Sequence, residues 1–115
     1  MRHGQKTKEL GLKRNQRKAL VATLAVSLIR DGKIKTTLTK AKVLRPMVER
    51  LITQAKGADV GDRRILISKV GVATSKKLIE TLAPKYQDRR GGYLRIIRLN
   101  DRKSDGSKMA VVEFV

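Results

Sequence analysis

In residues 32–57, GKIKTTLTKAKVLRPMVERLITQAKG, the periodicity of the apolar residues changes. From Lys33 to Leu38 the side chains alternate, which predicts a short half-buried strand with a basic outer face. Beyond it, apolar residues recur every three or four positions; they are Leu44, Met47, Val48, Leu51, Ile52 and Ala55. That spacing predicts a helix, so this segment joins a strand directly to a helix.

The ends of this helix follow from residues with special backbone preferences. Thr39 is suited to cap its start, and Gly57 is suited to end it. Pro46 lies inside the pattern and has no backbone N–H to donate. We therefore expect Pro46 either to kink the helix or to mark its true start.

The preceding residues predict a first helix over residues 16–31. Asn15 can cap it, and Gly32 can end it. One apolar stripe runs along it, formed by Leu20, Val21, Leu24, Ala25, Leu28 and Ile29. Its first turn contains Arg17 and Lys18, whose charges oppose the helix dipole. This arrangement favours an anionic partner at that end.

Residues 59–72 suit either a short helix or a buried strand, because the apolar residues are few and partly consecutive. The helix is favoured, since Asp59 can cap it and Gly71 can end it. Another helix is predicted next, with Thr74 or Ser75 as its cap.

That helix is expected to stop before Pro84. Gly91-Gly92 is a turn signal, and strands are predicted over residues 93–99 and 109–115. These two strands are expected to form a hairpin with a long basic loop between them.

The order of elements is therefore helix, strand, three helices and two strands. Three strands with helices on one face predict an α+β fold, a two-layer single domain with a small sheet. The length of 115 residues suits one domain. Residues 1–14 have no apolar periodicity and are interpreted as a basic N-terminal arm, disordered when free and ordered on a partner. Residues 15–115 are interpreted as a compact body.

The charge balance indicates the class of partner. The chain has 28 Lys and Arg against 10 Asp and Glu, which gives a formal net charge of +18. Solubility needs a net charge of only roughly 2–8 in a small domain. So large an excess favours a polyanion, most commonly nucleic acid. A DNA-binding architectural protein is the main alternative to an RNA-binding one, and an anionic membrane surface is a further alternative.

Several classes of function are disfavoured by the composition. The sequence has no Cys, so thiolate metal sites and a Cys nucleophile are excluded. His3 is the only His, and no cluster of acids or glycine-rich nucleotide loop accompanies it. The longest uncharged run, Ala19–Ile29, has 11 residues, whereas a membrane span needs about 20. We expect no enzymatic activity, no metal, no cofactor and no small-molecule substrate.

Two basic segments are the strongest candidates for binding. Residues 1–18 contain seven cations and one acid, and residues 85–103 contain seven cations and two acids. Aromatic residues are only 3% of the chain, so base stacking cannot be the main mode, and phosphate and shape contacts to structured RNA fit better. The predicted RNA-binding residues are Arg2, His3, Lys6, Lys8, Lys13, Arg14, Arg17, Lys18, Lys33, Lys35, Lys40, Arg89, Arg90, Tyr93, Arg95, Arg98, Arg102 and Lys103.

The most specific local motif is Arg89-Arg90-Gly91-Gly92-Tyr93. Its functional interpretation is a tight basic turn whose glycines let the backbone approach a phosphate, with Tyr93 beside it. The alternative is an ordinary entry to a hairpin with solvated arginines. The motif by itself does not decide between them.

Several motifs, taken in order, resemble one protein family. They are Met1-Arg2-His3, Ile34-Lys35-Thr36-Thr37-Leu38, Lys40-Ala41-Lys42, Leu44-Arg45-Pro46, Glu49, Leu51-Ile52-Thr53, Ala55-Lys56, Arg63-Arg64, Arg90-Gly91-Gly92-Tyr93, Arg95-Ile96 and Met109-Ala110 to Glu113. Together they resemble bacterial large-subunit ribosomal protein number seventeen over nearly the whole chain.

The resemblance implies a structural constituent of the large ribosomal subunit that binds and stabilises the large ribosomal RNA near the polypeptide exit tunnel. It implies a cytoplasmic location on the ribosome, neighbouring large-subunit proteins as further partners, and no catalytic role or membrane association. It also implies a basic N-terminal extension and an Arg90 to Arg95 stretch that contact RNA.

Overall fold

The computed structural model describes residues 12–115 of the chain. The helices are α1 (Arg14–Asp31), α2 (Leu38–Ala55), α3 (Val60–Val70), α4 (Val72–Lys77) and α5 (Ala83–Lys85), with a π-helical turn (Leu78–Leu82) between α4 and α5. The strands are β1 (Lys33–Thr37), β2 (Leu94–Arg98) and β3 (Met109–Phe114). Because α4, the π-helical turn and α5 follow one another without a break, the predicted order of elements is confirmed.

The three strands form one antiparallel sheet in the order β1-β3-β2. The predicted hairpin of β2 and β3 is present, and β3 also pairs with β1, which is distant in sequence. Lys33 lies opposite Glu113, and Glu113 lies opposite Arg95, in one row across the sheet. The last strand of the chain is therefore the central one.

The helices lie against one face of this sheet, so the predicted two-layer α+β class is confirmed. Helix α2 contacts all three strands, and α1 contacts β1. The predicted stripe of α2 is buried at Leu44, Val48 and Ile52, and it shares the core with Ala110 and Val112 of β3. On the opposite face of β1, Lys33 and Lys35 are exposed, as the alternation predicted.

Two predicted helix caps are wrong. Helix α1 begins at Arg14 after Lys13, whose backbone N–H donates to Oε1 of Gln16 at 3.3 Å, and Asn15 lies inside the helix. Helix α2 begins at Leu38, because Thr37 Oγ1 accepts from the backbone N–H of Lys40 at 3.3 Å. The side-chain oxygen of Thr37 accepts a hydrogen bond from a backbone N–H that would otherwise be unpaired at the start of the helix. The helix therefore begins two residues earlier than it would with Thr39 as its cap.

Pro46 does not mark the start of a helix, because α2 extends on both sides of it. The prediction of a helix over residues 59–72 is confirmed and the strand alternative is excluded. The side chain of Asp59 accepts from the N–H of Asp62 at 2.8 Å, and α3 ends at Gly71.

The prediction that the next helix is capped by Thr74 or Ser75 and stops before Pro84 is wrong. Gly71 precedes the first residue of α4, and α5 contains Pro84. In a regular α-helix the proline ring would clash with the carbonyl four residues before it. The π-helical turn lies immediately before this position, and its wider bonding pattern has Ala83 N–H donate to the carbonyl of Leu78.

Two other kinds of site are absent from residues 12–115. None of the helices there is long and apolar enough to cross a membrane. That same part of the chain holds no group of three or more His, Asp or Glu side chains placed to bind a metal ion.

Candidate nucleic-acid interface

The basic turn at residues 89–93 is fixed to α2 by hydrogen bonds. The backbone N–H of Tyr93 donates to Oε2 of Glu49 at 2.9 Å, and the Tyr93 hydroxyl donates to the carbonyl of Arg89 at 3.0 Å. The first bond joins the turn to α2, and the second closes the turn on itself. Its conformation is therefore set before any partner binds.

A lysine completes this anchor. Lys56 Nζ donates to the Tyr93 hydroxyl at 2.6 Å and also to the carbonyl of Arg89. The hydroxyl lies 3.5 Å from Thr53 Oγ1 as well. The hydrogen bond from the Lys56 ammonium, followed by the hydrogen bond between Tyr93 and Thr53, lowers the pKa of Tyr93. The direction of this shift indicates that the cation stabilises negative charge on the phenol oxygen.

Tyr93 was predicted to contact RNA, and the structure corrects this assignment. Its side chain is only 1% exposed, and its ring centroid lies 5.1 Å from that of Tyr86 inside the core. A buried ring whose hydroxyl is already hydrogen-bonded is not available to a nucleotide at the surface. Tyr93 is instead a residue that positions the turn.

The two arginines of the turn differ in their surroundings. Arg89 Nε donates to the carbonyl of Gly91 at 3.2 Å, so its side chain is folded over the turn. Arg90 is exposed and forms no hydrogen bond or ion pair with another residue in the 12–115 range. Arg90 is therefore the cation of the turn that is best placed to meet an anion.

The glycines of the turn leave its backbone uncovered. Gly92 has a φ of +63°, a conformation that residues with a Cβ rarely adopt. Gly91 lies outside that region. A Cβ built on either residue would meet no atom within 4 Å. The space beside this backbone is thus open to solvent.

A cleft of about 410 Å³ runs between the turn and α2. It is lined by Glu49, Arg50, Thr53, Gln54, Arg90, Gly91, Gly92 and Tyr93. Both oxygens of Glu49 are already occupied, since Oε1 accepts from Arg45 Nε at 3.3 Å and Oε2 from Tyr93. The acid in the cleft is thereby neutralised, and the cations Arg50 and Arg90 dominate its charge.

Some of the predicted RNA-binding cations on the sheet and its loop are paired with acidic side chains. Arg95 Nε donates to Glu113 Oε1 at 2.6 Å across the β2–β3 pair. Arg102 forms a bidentate pair with Asp105, at 2.9 and 2.6 Å. Arg98 and Lys103 are exposed. Arg102 therefore organises its own loop, and Lys103 is the freer cation there.

The candidates near the chain start lie at the beginning of α1. Lys13, Arg14 and Lys18 are exposed, and Arg17 is half-buried. Lys40, on the first turn of α2, is also half-buried. The other four predicted contacts, Arg2, His3, Lys6 and Lys8, lie outside the described residues.

The α2 side of the cleft was not predicted from the sequence. Glu49 and Thr53, like Arg50 and Gln54, are four residues apart, and such pairs are neighbours on a helix surface. That spacing shows which residues share a face of α2, but it does not show that this face meets residues 89–93.

A surface rich in exposed Lys and Arg, here with Arg50 and Arg90 beside the turn, is the electrostatic feature expected of a nucleic-acid-binding protein. Residues 20–115 match the family described as ribosomal protein L17. The chain belongs to this family, and its role is that of a structural, non-enzymatic ribosomal protein.

Similar proteins support the assignment over the full length. The chain is 44% identical over 120 residues to the large ribosomal subunit protein bL17 of Nautilia profundicola, covering 100% of this chain and 98% of that protein. It is 47% identical over 116 residues to the protein of the same name from Mesorhizobium japonicum, covering 100% and 81%. It is 46% identical over 116 residues to that of Akkermansia muciniphila, covering 100% and 85%.

Proposed function

We propose that this protein is a structural constituent of the large ribosomal subunit that binds the large ribosomal RNA near the polypeptide exit tunnel, in the cytoplasm. The proposal rests on the anchored basic turn at residues 89–93. In this turn, Arg90 and the exposed backbone of Gly91 and Gly92 lie beside Arg50. The names of the similar proteins and the net charge of +18 support the same partner. Neighbouring large-subunit proteins are the expected second class of partner.

The mechanism is architectural. Cations on the body neutralise phosphates, so that RNA segments that would repel each other can approach. The rigid turn adds shape recognition, because its backbone is already ordered by Glu49, Lys56 and Tyr93. A preformed surface loses less conformational entropy on binding than a flexible one.

Among the residues predicted from the sequence, the proposed RNA contacts are the cations that are exposed and lack an acidic partner among residues 12–115. They are Lys13, Arg14, Lys18, Lys33, Lys35, Arg90, Arg98 and Lys103. Arg17 and Lys40 are included as half-buried contacts, and Arg89, Arg95 and Arg102 as cations that also hold the local structure. The arm at residues 1–14, with Arg2, His3, Lys6 and Lys8, is proposed to extend the RNA contact, because its sequence is basic.

The experiment is sedimentation of a cell lysate through a sucrose gradient at low magnesium, where ribosomal subunits separate. The protein is expected with the large subunit and should remain there after a high-salt wash. Recovery with chromosomal DNA, or at the top of the gradient, would contradict the proposal.

A binding measurement tests the RNA preference directly. The full chain is titrated with protein-free large ribosomal RNA and with duplex DNA of equal nucleotide concentration. RNA should bind more tightly at each salt concentration. Equal affinity for the two would favour the DNA-binding architectural alternative.

A further inference from the structure

The strongest unexplained feature of the molecule is Gly91. Its φ lies outside the left-handed region, so its own backbone does not require glycine. A Cβ there would meet nothing within 4 Å, so no neighbour in the described protein excludes a side chain either. The space beside Gly91 is therefore accessible to a group from outside the chain.

That space is the cleft between the turn and α2. Its volume of about 410 Å³ exceeds what a single ion would fill. Arg50 and Arg90 line it, and neither side chain makes an ion pair or hydrogen bond with any residue from 12 to 115. Its acid, Glu49, is held by Arg45 and by the Tyr93 N–H, so it does not oppose an anion.

One side chain in the cleft, Gln54, can recognise a pattern of hydrogen-bond donors and acceptors, whereas the arginines recognise charge. Gln54 is half-buried and lines the cleft four residues after Arg50. Its amide has both a hydrogen-bond donor and an acceptor, the combination that matches the edge of a nucleobase. The ring of Tyr93 is buried and is not available to stack on a base.

We infer that the cleft binds one unpaired nucleotide of RNA. Its phosphate lies at Arg50 and Arg90, its base lies along the Gly91-Gly92 backbone, and the edge of the base is read by Gln54. A base in a duplex is stacked and paired and cannot enter such a cleft, whereas loops and bulges offer unstacked bases. The inference rests on the proposed RNA binding and specifies what this site recognises.

The test uses the full chain bound to protein-free large ribosomal RNA, with filter binding over a range of salt and chemical modification of the Watson–Crick edges of unpaired bases. The variants are Arg50→Gln, Gln54→Ala and Gly91→Ala. Arg64→Gln is the matched control, because Arg64 is also an exposed helical arginine but lies on α3 outside the cleft.

Arg50→Gln is expected to weaken binding about tenfold and to reduce the salt slope by about one, and Arg64→Gln to change affinity less. The wild-type protein should protect at least one unpaired base from modification. Gln54→Ala and Gly91→Ala should lose that protection while the protection of other nucleotides stays. Thermal unfolding of Gly91→Ala should match the wild type, which shows that the fold is intact.

Three results would overturn the inference. One is an effect of Arg50→Gln no larger than that of Arg64→Gln. Another is protection of the same bases by wild type and Gly91→Ala. A third is loss of affinity in Arg50→Gln with no unpaired base protected, which means that the cleft holds a phosphate only. Failure of the wild type to prefer ribosomal RNA over duplex DNA would instead contradict the proposed function itself.

Discussion

Lys56 Nζ lies 2.6 Å from the hydroxyl of Tyr93, and this contact ties the end of α2 to the turn that leads into β2. The two residues are 37 positions apart in the sequence. The lysine also donates to the carbonyl of Arg89. One ammonium group thus organises both ends of the basic turn, and the cleft beside it depends on this arrangement.

Replacement of Lys56 by methionine should destabilise the protein. The change keeps the length of the side chain but removes a charge-assisted donor, which is worth about 1.5–3 kcal/mol. Chemical denaturation measures the loss in free energy of unfolding. Lys76→Met is the control, because Lys76 is exposed and makes no hydrogen bond within residues 12–115, so it should change that free energy by less than about 0.5 kcal/mol.

The same variant should raise the pKa of Tyr93 toward the ordinary tyrosine value, since the Lys56 hydrogen bond is the largest cause of its lowering. Ultraviolet difference titration can measure this, because the chain has only two tyrosines. An unchanged titration curve would show that Lys56 does not bond the hydroxyl in solution.

Truncation of Leu44 to alanine should cost about 2–5 kcal/mol of stability. Leu44 is 0% exposed in the middle of the α2 stripe, and its removal leaves a cavity between α2 and the sheet. Val60→Ala on α3 is the comparison, because Val60 is 66% exposed. Equal losses for the two variants would mean that α2 does not form the core.

The loop between β2 and β3 should resist mild acid. Hydrogen bonds from the Arg102 side chain, and then from the Ser107 backbone N–H, hold the pKa of Asp105 well below its usual range. A carboxylate with a lowered pKa supports the folded loop above its ordinary pKa and loses that contribution only as the pH falls through the lowered value. In an NMR titration, Asp105 should be among the last carboxyl groups to protonate.

Arg102→Gln provides the matching variant. Without the guanidinium, the pKa of Asp105 should rise toward the ordinary aspartate value of 3.8. The Ser107 amide signal, which reports its bond to Asp105 at 3.0 Å, should then change at a higher pH than in the wild type. A wild-type Asp105 that titrates at the ordinary value would refute this account of the loop.

Neutralising the arm should weaken RNA binding without unfolding the body. In a variant with Arg2, Lys6 and Lys8 all changed to glutamine, the salt slope for ribosomal RNA should fall by about three if each contacts a phosphate. The thermal transition should stay where it is, because the buried core described here begins at Val21. An unchanged slope would mean that these cations do not contact RNA.

Much of the fold was predictable because it depends on local patterns. Alternation at residues 33–38 predicted β1, and helical spacing predicted α1 and α2. Asp59 and Gly71 gave the ends of α3. The errors lie where two local signals compete. Thr37 and Thr39 are both able to cap α2, and only the observed bond to Lys40 selects the first.

The candidate site was predictable only in part. Charge and the glycine pair indicated the turn at residues 89–93, but not that Tyr93 points into the core. From the sequence, Arg95 and Arg102 were expected to be available to RNA. In the structure, Glu113 and Asp105 pair with them. The sequence did not single out Arg50 and Gln54 as candidate site residues, because their proposed role depends on the residues across the cleft.

The elements, the basic character of the surface and the two-layer class follow from local sequence patterns, since periodicity and charge are properties of neighbouring residues. Tertiary structure alone decided that β3 pairs with both β1 and β2, that Lys56 reaches Tyr93, and that Gly91 faces α2. The physical reason is that a side-chain pattern specifies which face of an element is buried. Which distant segment covers that face depends on how all the elements pack together.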